Sequence, residues 1–320
     1  MSPPLIQLAP MEGLLDPAIR DLLGRLGGFQ LATTEFLRVT NQLYPQKVFT
    51  RIMPELANNC QTKSGIPVHL QLLGSDPIAM ADNAAKAAEL GAIGIDLNFG
   101  CPAKTVNKHG GGALLLKEPT KVYQIINQVR QAVPKEIPVT AKLRLGWDDP
   151  ELIYETAPAA ESAGANWLTI HARTRVDGYK HPARWEWLAK AKQQLNIDIV
   201  ANGDIKTADD YFRCLEISEC HSVMIGRGIV YNPGLALEIE QALQGKVSTG
   251  RLVDWPRILQ MIDEYHQFLI EKGLGKHAVS RTKQWIRELA KHYIEADVLF
   301  EQIKKEKCSV TAGKFIQNAI

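Results

Sequence analysis

At 320 residues and 45% hydrophobic, the chain is long enough for one large core with a smaller domain beside it. No apolar run approaches the roughly 20 residues that cross a bilayer, and the opening "MSPPLIQLAPMEG" has no basic segment followed by an apolar one, so a cytoplasmic protein with no membrane partner is expected. The net charge of +2 is unevenly placed: residues from Lys246 onward hold 13 Lys and Arg against 9 Asp and Glu, whereas the first 245 hold 24 against 26, which points to a polyanion partner for the C-terminal part.

Eight short β-rich runs follow one another along the chain. They are "LIQLAPM" from Leu5, "QLATTEF" from Gln30, "PVHLQLLG" from Pro67, "GIDLNFG" from Gly94, "VTAKLRLG" from Val139, "NWLTIHAR" from Asn166, "DIVANGDI" from Asp198 and "SVMIGRG" from Ser222. Segments with helical spacing separate most of them. "DPIAMADNAAKAAELGA" is the clearest, with Asp76 as N-cap, Pro77 at the first helical position and Gly91 as the stop. "EPTKVYQIINQVRQAV", "PELIYETAPAAESAGA" and "KTADDYFRCLEIS" fill the same slot later. Alternating strand and helix implies parallel strands joined by crossovers. Eight such units predict a (β/α)8 TIM barrel. A doubly wound sheet is the rival, but no G-x-G-x-x-G follows an early strand.

After Gln244 the strand pattern stops. "DWPRILQMIDEYHQFLIEKG", "SRTKQWIRELAKHYIEA" and "VLFEQIKKEK" have helical spacing, with "GLGKHAV" and a second short break between them. A barrel over 1–245 and a small all-helical domain over 246–320 are therefore expected, with the boundary near Gly245 to Gly250.

In such barrels the working groups sit at the C-terminal strand ends. That rule collects Asn98, Cys101, Lys142, Arg144, His171, Arg173, Asn202, Asp204, Gly226, Arg227 and Gly228. Lys142 and Arg144 share one strand face. The lysine is either paired with Asp96 or Glu35 in a packed network or is a cation that stabilises the negative charge of a reduced flavin. "NGD" and "IGRG", after the last two strands, suit one phosphate monoester, as in FMN.

The five cysteines, Cys60, Cys101, Cys214, Cys220 and Cys308, are scattered and include no C-x-x-C pair, which speaks against disulfides and against a metal site. Most free cysteines are buried small hydrophobes, so any role for Cys101 comes from its neighbours in "NFGCP". An unperturbed thiol, with a pKa of about 8.5, is mostly protonated at pH 7 and is a competent acid. Nucleophilic use would need a base, and His109 lies eight residues away with no sign of contact. Gly110, Gly111 and Gly112 suggest a loop free to move over a substrate.

"APM" at Ala9, "DLNFGCPAKTV" from Asp96, the Lys142-x-Arg144 pair, "HAR" at His171, "NGD" at Asn202 and "GRG" at Gly226 together resemble the tRNA dihydrouridine synthases, over nearly the whole chain and in order. The segments "MEGLLD", "TEFLRVTNQL" and "GGGALLLK" resemble the bacterial members that act on position 16 of the tRNA D-loop. The resemblance implies a cofactor site for FMN built from Ala9, Pro10, Met11, Gln71, Lys142, His171, Asn202, Gly203, Asp204, Gly226 and Arg227. Asp204 departs from relatives that carry Glu there. The resemblance further implies Cys101 as general acid with Lys142 and His171 beside it, and Asn98 and Arg144 on the flipped uracil. NADPH or NADH reduces FMN; hydride then passes from flavin N5 to C6 of uridine while Cys101 protonates C5.

Between Lys272 and Lys291 lie six Lys and Arg against Glu288 alone. Lys276, Arg281, Lys283 and Arg287 there, with Arg38 in the barrel, are the expected tRNA contacts of a monomer. The rival functions are an FMN-dependent barrel reductase of a small molecule, of dihydroorotate or ene type, and a non-catalytic RNA-binding barrel.

Overall fold

The computed structural model describes residues 5–246 and 251–319. Its strands are β1 (Ile6–Leu8), β2 (Leu31–Thr33), β3 (Leu37–Arg38), β4 (Val68–Leu73), β5 (Ile95–Asn98), β6 (Val139–Arg144), β7 (Trp167–His171), β8 (Asp198–Asn202) and β9 (Ser222–Ile225). β1 pairs with both β2 and β9, and β2 pairs with β4, so β1, β2 and β4 to β9 close a parallel ring. An open doubly wound sheet would leave two edges; the fold is the (β/α)8 barrel. β3 is extra to the eight predicted strands. It pairs Leu37 with Leu72 and Arg38 with Leu73, and two residues are too few to leave a period in the sequence.

Strand alternation separates the two faces. Ile95 and Leu97, Ala141 and Leu143, and Leu168 and Ile170 face outward and join the helices in one apolar core. Between them Asp96, Asn98, Thr140, Lys142, Thr169 and His171 face the barrel interior. Register then fixes neighbours: Asn98 stands opposite Lys142, Arg144 opposite His171, and His171 opposite Asn202. The helix Pro77–Glu89 forms as its sequence dictates. Asp76 accepts from the Ala79 N–H at 2.7 Å, and Gly91, at φ +96°, ends it in a conformation that costs glycine little.

Among the described residues no strand follows β9. The C-terminal part holds helices Trp255–Glu271, Gly275–Leu289, Ile294–Ile303 and Ser309–Asn318. "GLGKHAV" is not a break: Gly273, at φ +71°, makes the turn, and the next helix already starts at Gly275. The last helix escapes the sequence pattern because it is short and has Gly313 in its middle. The expected boundary falls largely outside the described residues. These helices dock on the barrel through Trp285 Nε1 to Val230 O (3.1 Å), Tyr265 Oη to Asp16 Oδ2 (3.0 Å) and the Arg25–Glu264 ion pair (2.6 Å).

Candidate active site

Cys101 follows β5 on a turn held from two sides. Asn98 Oδ1 accepts the backbone N–H groups of Gly100 (2.9 Å) and Cys101 (3.0 Å). Asn107 Nδ2 donates to the carbonyls of Cys101 (3.1 Å) and Ala103 (2.7 Å), and its Oδ1 accepts from Leu114 N (2.8 Å). Gly112 is wedged beneath, at φ +63°, where a Cβ would lie 2.8 Å from Cys101 O. Of the three glycines, Gly112 is packed against the Cys101 turn, while Gly110 and Gly111 have ordinary room around them. His109 is exposed and stands outside this network. Burial pushes the Cys101 thiol up, as does Glu12, against the Ala103 N–H and the charges of Arg144 and Arg38; the balance keeps it protonated at neutral pH.

Lys142 Nζ donates to Asn202 Oδ1 at 3.1 Å, and Asn202 Nδ2 donates to Met224 O at 2.7 Å. The packed-network alternative fails. Asp96 gives its oxygens to Gln71 and Thr140, Glu35 accepts from Gly13 N, and among the described residues Lys142 has no ion-pair partner. Burial, with Arg144 next, lowers its pKa to about 8 against the pull of Asp96 and Cys101. A lysine with two free N–H groups and no counter-ion is ready for an electron-rich ligand.

His171 Nε2 lies 3.1 Å from Arg173 Nη1. A guanidinium only donates, so Nε2 accepts and the proton belongs on Nδ1. Burial, then Arg144, Lys142, Arg173 and Arg227, hold the ring neutral, well below its ordinary pKa. Arg173 in turn pairs with Asp204, whose Oδ2 also takes Ala183 N (2.7 Å) and His181 Nδ1 (2.8 Å). Burial would raise the Asp204 pKa, but these donors bring it below its ordinary value. Asp204 sits at φ +57° and Gly203 at φ +125°, where a Cβ would meet His171 Cδ2 at 3.0 Å. The "GRG" turn rests on the "NGD" turn: a Cβ on Gly228 would lie 2.2 Å from Ile205 O. Arg227 is exposed at the rim with its guanidinium 4.3 Å from the Tyr179 ring centre.

Arg144 lines the cavity and also braces two loops. Its Nε donates to Gly100 O (2.9 Å) and its Nη1 to Thr174 O and Gly178 O (3.0 Å each), tying the Cys101 turn to the loop after β7. Two helical cations brace structure as well. Arg281 Nε donates to Tyr265 Oη (3.0 Å), and its Nη2 lies 3.1 Å from Asp16 Oδ2 as an ion pair; Lys283 Nζ donates to the carbonyls of Lys304 and Glu306. Arg287 is exposed without an ion pair among the described residues. The side chain of Lys276 lies outside the described residues. Arg38 is half-buried on β3 and does not line the cavity, though its charge acts weakly on Cys101.

All eleven cofactor residues named from sequence line one cavity of about 800 Å³, together with Asn98, Cys101 and Arg144. Tyr179, His181, Lys206, Tyr231 and Lys291 line it as well and were missed. They come from loops and from the helical part, where no local pattern marks them. Among the described residues no group of three or more His, Cys, Asp or Glu is placed to hold a metal ion, and no helix is long and apolar enough to cross a membrane.

A protonated thiol, a lysine without counter-ion and a neutral imidazole around one cavity at a barrel mouth define an enzyme that holds an electron-rich ligand beside a proton donor. The dihydrouridine synthase model matches residues 7–319, and the chain belongs to the dihydrouridine synthase family. It is 47% identical to a tRNA-dihydrouridine(16) synthase of Pseudomonas putida over 94% of this chain and 93% of that protein. Proteins of the same name in Shewanella oneidensis and Escherichia coli O157:H7 are 44% and 43% identical, each over 98% of this chain and 97% of the relative. Among solved structures, a morphinone reductase superposes with a TM-score of 0.53 at 12% identity, over 79% of this chain and 88% of that one. At that identity the likeness concerns the fold.

Proposed function

We propose that the protein reduces the C5–C6 double bond of uridine in the tRNA D-loop, at position 16, to 5,6-dihydrouridine, using FMN with NADPH or NADH as reductant. The observation that carries this reading is Cys101, held protonated on a rigid turn at the cavity that Lys142 also lines.

The residues fit FMN on their own chemistry. Lys142 presents two unengaged N–H groups, Gln71 and Asn202 offer amides, and the stacked glycine turns with Arg227 leave backbone and guanidinium donors for a phosphate. When bound, FMN takes hydride from the nicotinamide and supplies it to uracil C6. Lys142 and the Nδ1–H of His171 favour negative charge on the group seated over them. Hydride at C6 pushes electrons of the C5–C6 bond toward O4, and Cys101 gives its proton to C5 of that enolate. The thiolate is reprotonated from solvent through the open mouth. One nicotinamide cofactor and one proton are consumed per dihydrouridine.

Residues 246–320 serve in this reading as the tRNA-binding domain, with Arg287 and Lys291 facing the phosphates. A small-molecule reductase of dihydroorotate or ene type shares the floor of the cavity but gives no role to Lys291, which a helical domain brings to the rim. Mapping of dihydrouridine in tRNA from a host lacking its own synthases, with and without this chain, separates the two. Dihydrouridine at position 16 alone is expected. A yellow protein that leaves every D-loop unmodified contradicts the proposal in favour of the small-molecule reductase.

A further inference from the structure

Gln71, Asp96 and Thr140 are register partners on β4, β5 and β6, so their side chains enter the barrel side by side. Asp96 is buried, and both its oxygens accept: Oδ2 from Gln71 Nε2 and Oδ1 from Thr140 Oγ1, each at 2.6 Å. Gln71 Oε1 accepts from Asn98 Nδ2 at 2.8 Å. Asn98 Oδ1 then accepts the N–H groups of Gly100 and Cys101. The run therefore begins on a carboxylate, which accepts, and ends on backbone N–H groups, which only donate. Each amide between has one donor end and one acceptor end, so a single orientation of both satisfies every contact. Turning either one sets oxygen against oxygen or N–H against N–H, inside a site where an unmade hydrogen bond is expensive.

We propose that Asp96, Gln71 and Asn98 form a polarity relay through which a carboxylate in the barrel interior sets the position of the Cys101 turn. Asp96 and Asn98 are positioning residues, and Asn98 keeps one amide hydrogen for a substrate. Gln71 lines the cavity, so a ligand seated there touches the relay that holds the thiol. The catalytic meaning of the relay rests on reading Cys101 as the proton donor; the relay itself does not.

The relay predicts that its direction can be reversed. Asn98→Asp alone places carboxylates on both sides of Gln71, which has one donor end. Adding Asp96→Asn restores every bond in the opposite sense. Thr140 Oγ1 then donates to the amide oxygen introduced at position 96, the amide nitrogen there donates to Gln71 Oε1, and Gln71 Nε2 donates to the carboxylate introduced at position 98. Denaturant unfolding of the flavin-free protein should show Asn98→Asp lowering the folding equilibrium constant at least about tenfold, with the two-residue swap recovering most of that loss. Amide exchange at Gly100 and Cys101 should follow the same order. A swap no more stable than Asn98→Asp overturns the relay; if Asn98→Asp does not fold, a folded swap supports the relay and an unfolded one overturns it. Turnover on tRNA is read last. Lost dihydrouridine formation in a swap with recovered stability and exchange leaves the relay standing and reports the amide hydrogen that Asn98→Asp removes from the substrate side; the acid role of Cys101 is tested separately by Cys101→Ala.

Discussion

The barrel mouth and the helix Gly275–Leu289 both concentrate positive charge, and the fold treats the two differently. At the mouth, Lys142 is half-buried with no counter-ion among the described residues, and Arg227 stands exposed at the rim. On the helix, Arg281 is joined to Asp16 and Tyr265, and Lys283 closes the end of the helix Ile294–Ile303. A count of charges reads the two regions alike. What separates these cations is where acceptors stand. At the mouth Arg144 and Arg173 are met by loop carbonyls and Asp204, while among the described residues Lys142 has only Asn202 Oδ1; on the helix Arg281 and Lys283 meet a carboxylate and carbonyl ends.

The sharpest way to break this contrast is to remove one cation from each region. Lys142→Met should slow flavin reduction by NADPH about 10²-fold, the scale of losing one preorganised charge contact, while Lys283→Met should leave that rate near the parent's. Equal losses in a stopped-flow assay would erase the distinction. The pH dependence sharpens it. Lys142 is cationic below about pH 8 and neutral above, so flavin reduction should fall through that value, and Cys101→Ala should keep the same limb. In the unfolded chain the ordinary pKa of 10.5 applies, so between about 8 and 10.5 the folded state binds fewer protons and the contribution of Lys142 to stability rises with pH.

Smaller effects test the supports. Gly228→Ala drives a Cβ against Ile205 O and should cost about 3 kcal/mol in thermal unfolding, while Gly273→Ala, in open space at φ +71°, should cost about 1 kcal/mol. Arg281→Ala should cost about 1–3 kcal/mol of stability by freeing Tyr265 and Asp16, with little direct effect on tRNA. Arg287→Glu should do the reverse, weakening tRNA a few-fold in filter binding at low salt without moving the unfolding midpoint. Unchanged affinity would take this helix out of the RNA footprint.

The barrel was legible because eight short β-rich runs recur with helical segments between most of them, and from the fourth run onward they end in polar groups. Of the residues that line the cavity, Lys142, His171, Asn202, Asp204, Gly226 and Arg227 were legible from strand ends that converge at one mouth, whereas Ala9, Pro10, Met11 and Gln71 were named only through the family resemblance. Roles were harder to read than places. Asn98 and Arg144 were expected on the substrate, yet Asn98 Oδ1 holds the N–H groups of its own turn and Arg144 holds carbonyls of distant loops, which leave no mark beside it in the sequence. Gly110 to Gly112 read as freedom because glycine permits it; Gly112 is there because Cys101 O leaves no room for a Cβ. Tyr179 and Lys291 reach the cavity only through tertiary packing, and no spacing along the chain announces them.

The central claim is that Cys101 gives the proton and takes no part in flavin reduction. Single turnover with pre-reduced Cys101→Ala protein and unmodified tRNA tests it directly. The account predicts NADPH reduction at the parent's rate, unchanged tRNA binding, and flavin reoxidation by tRNA slowed at least about 10²-fold. Reoxidation at the parent's rate, with dihydrouridine formed, would contradict it.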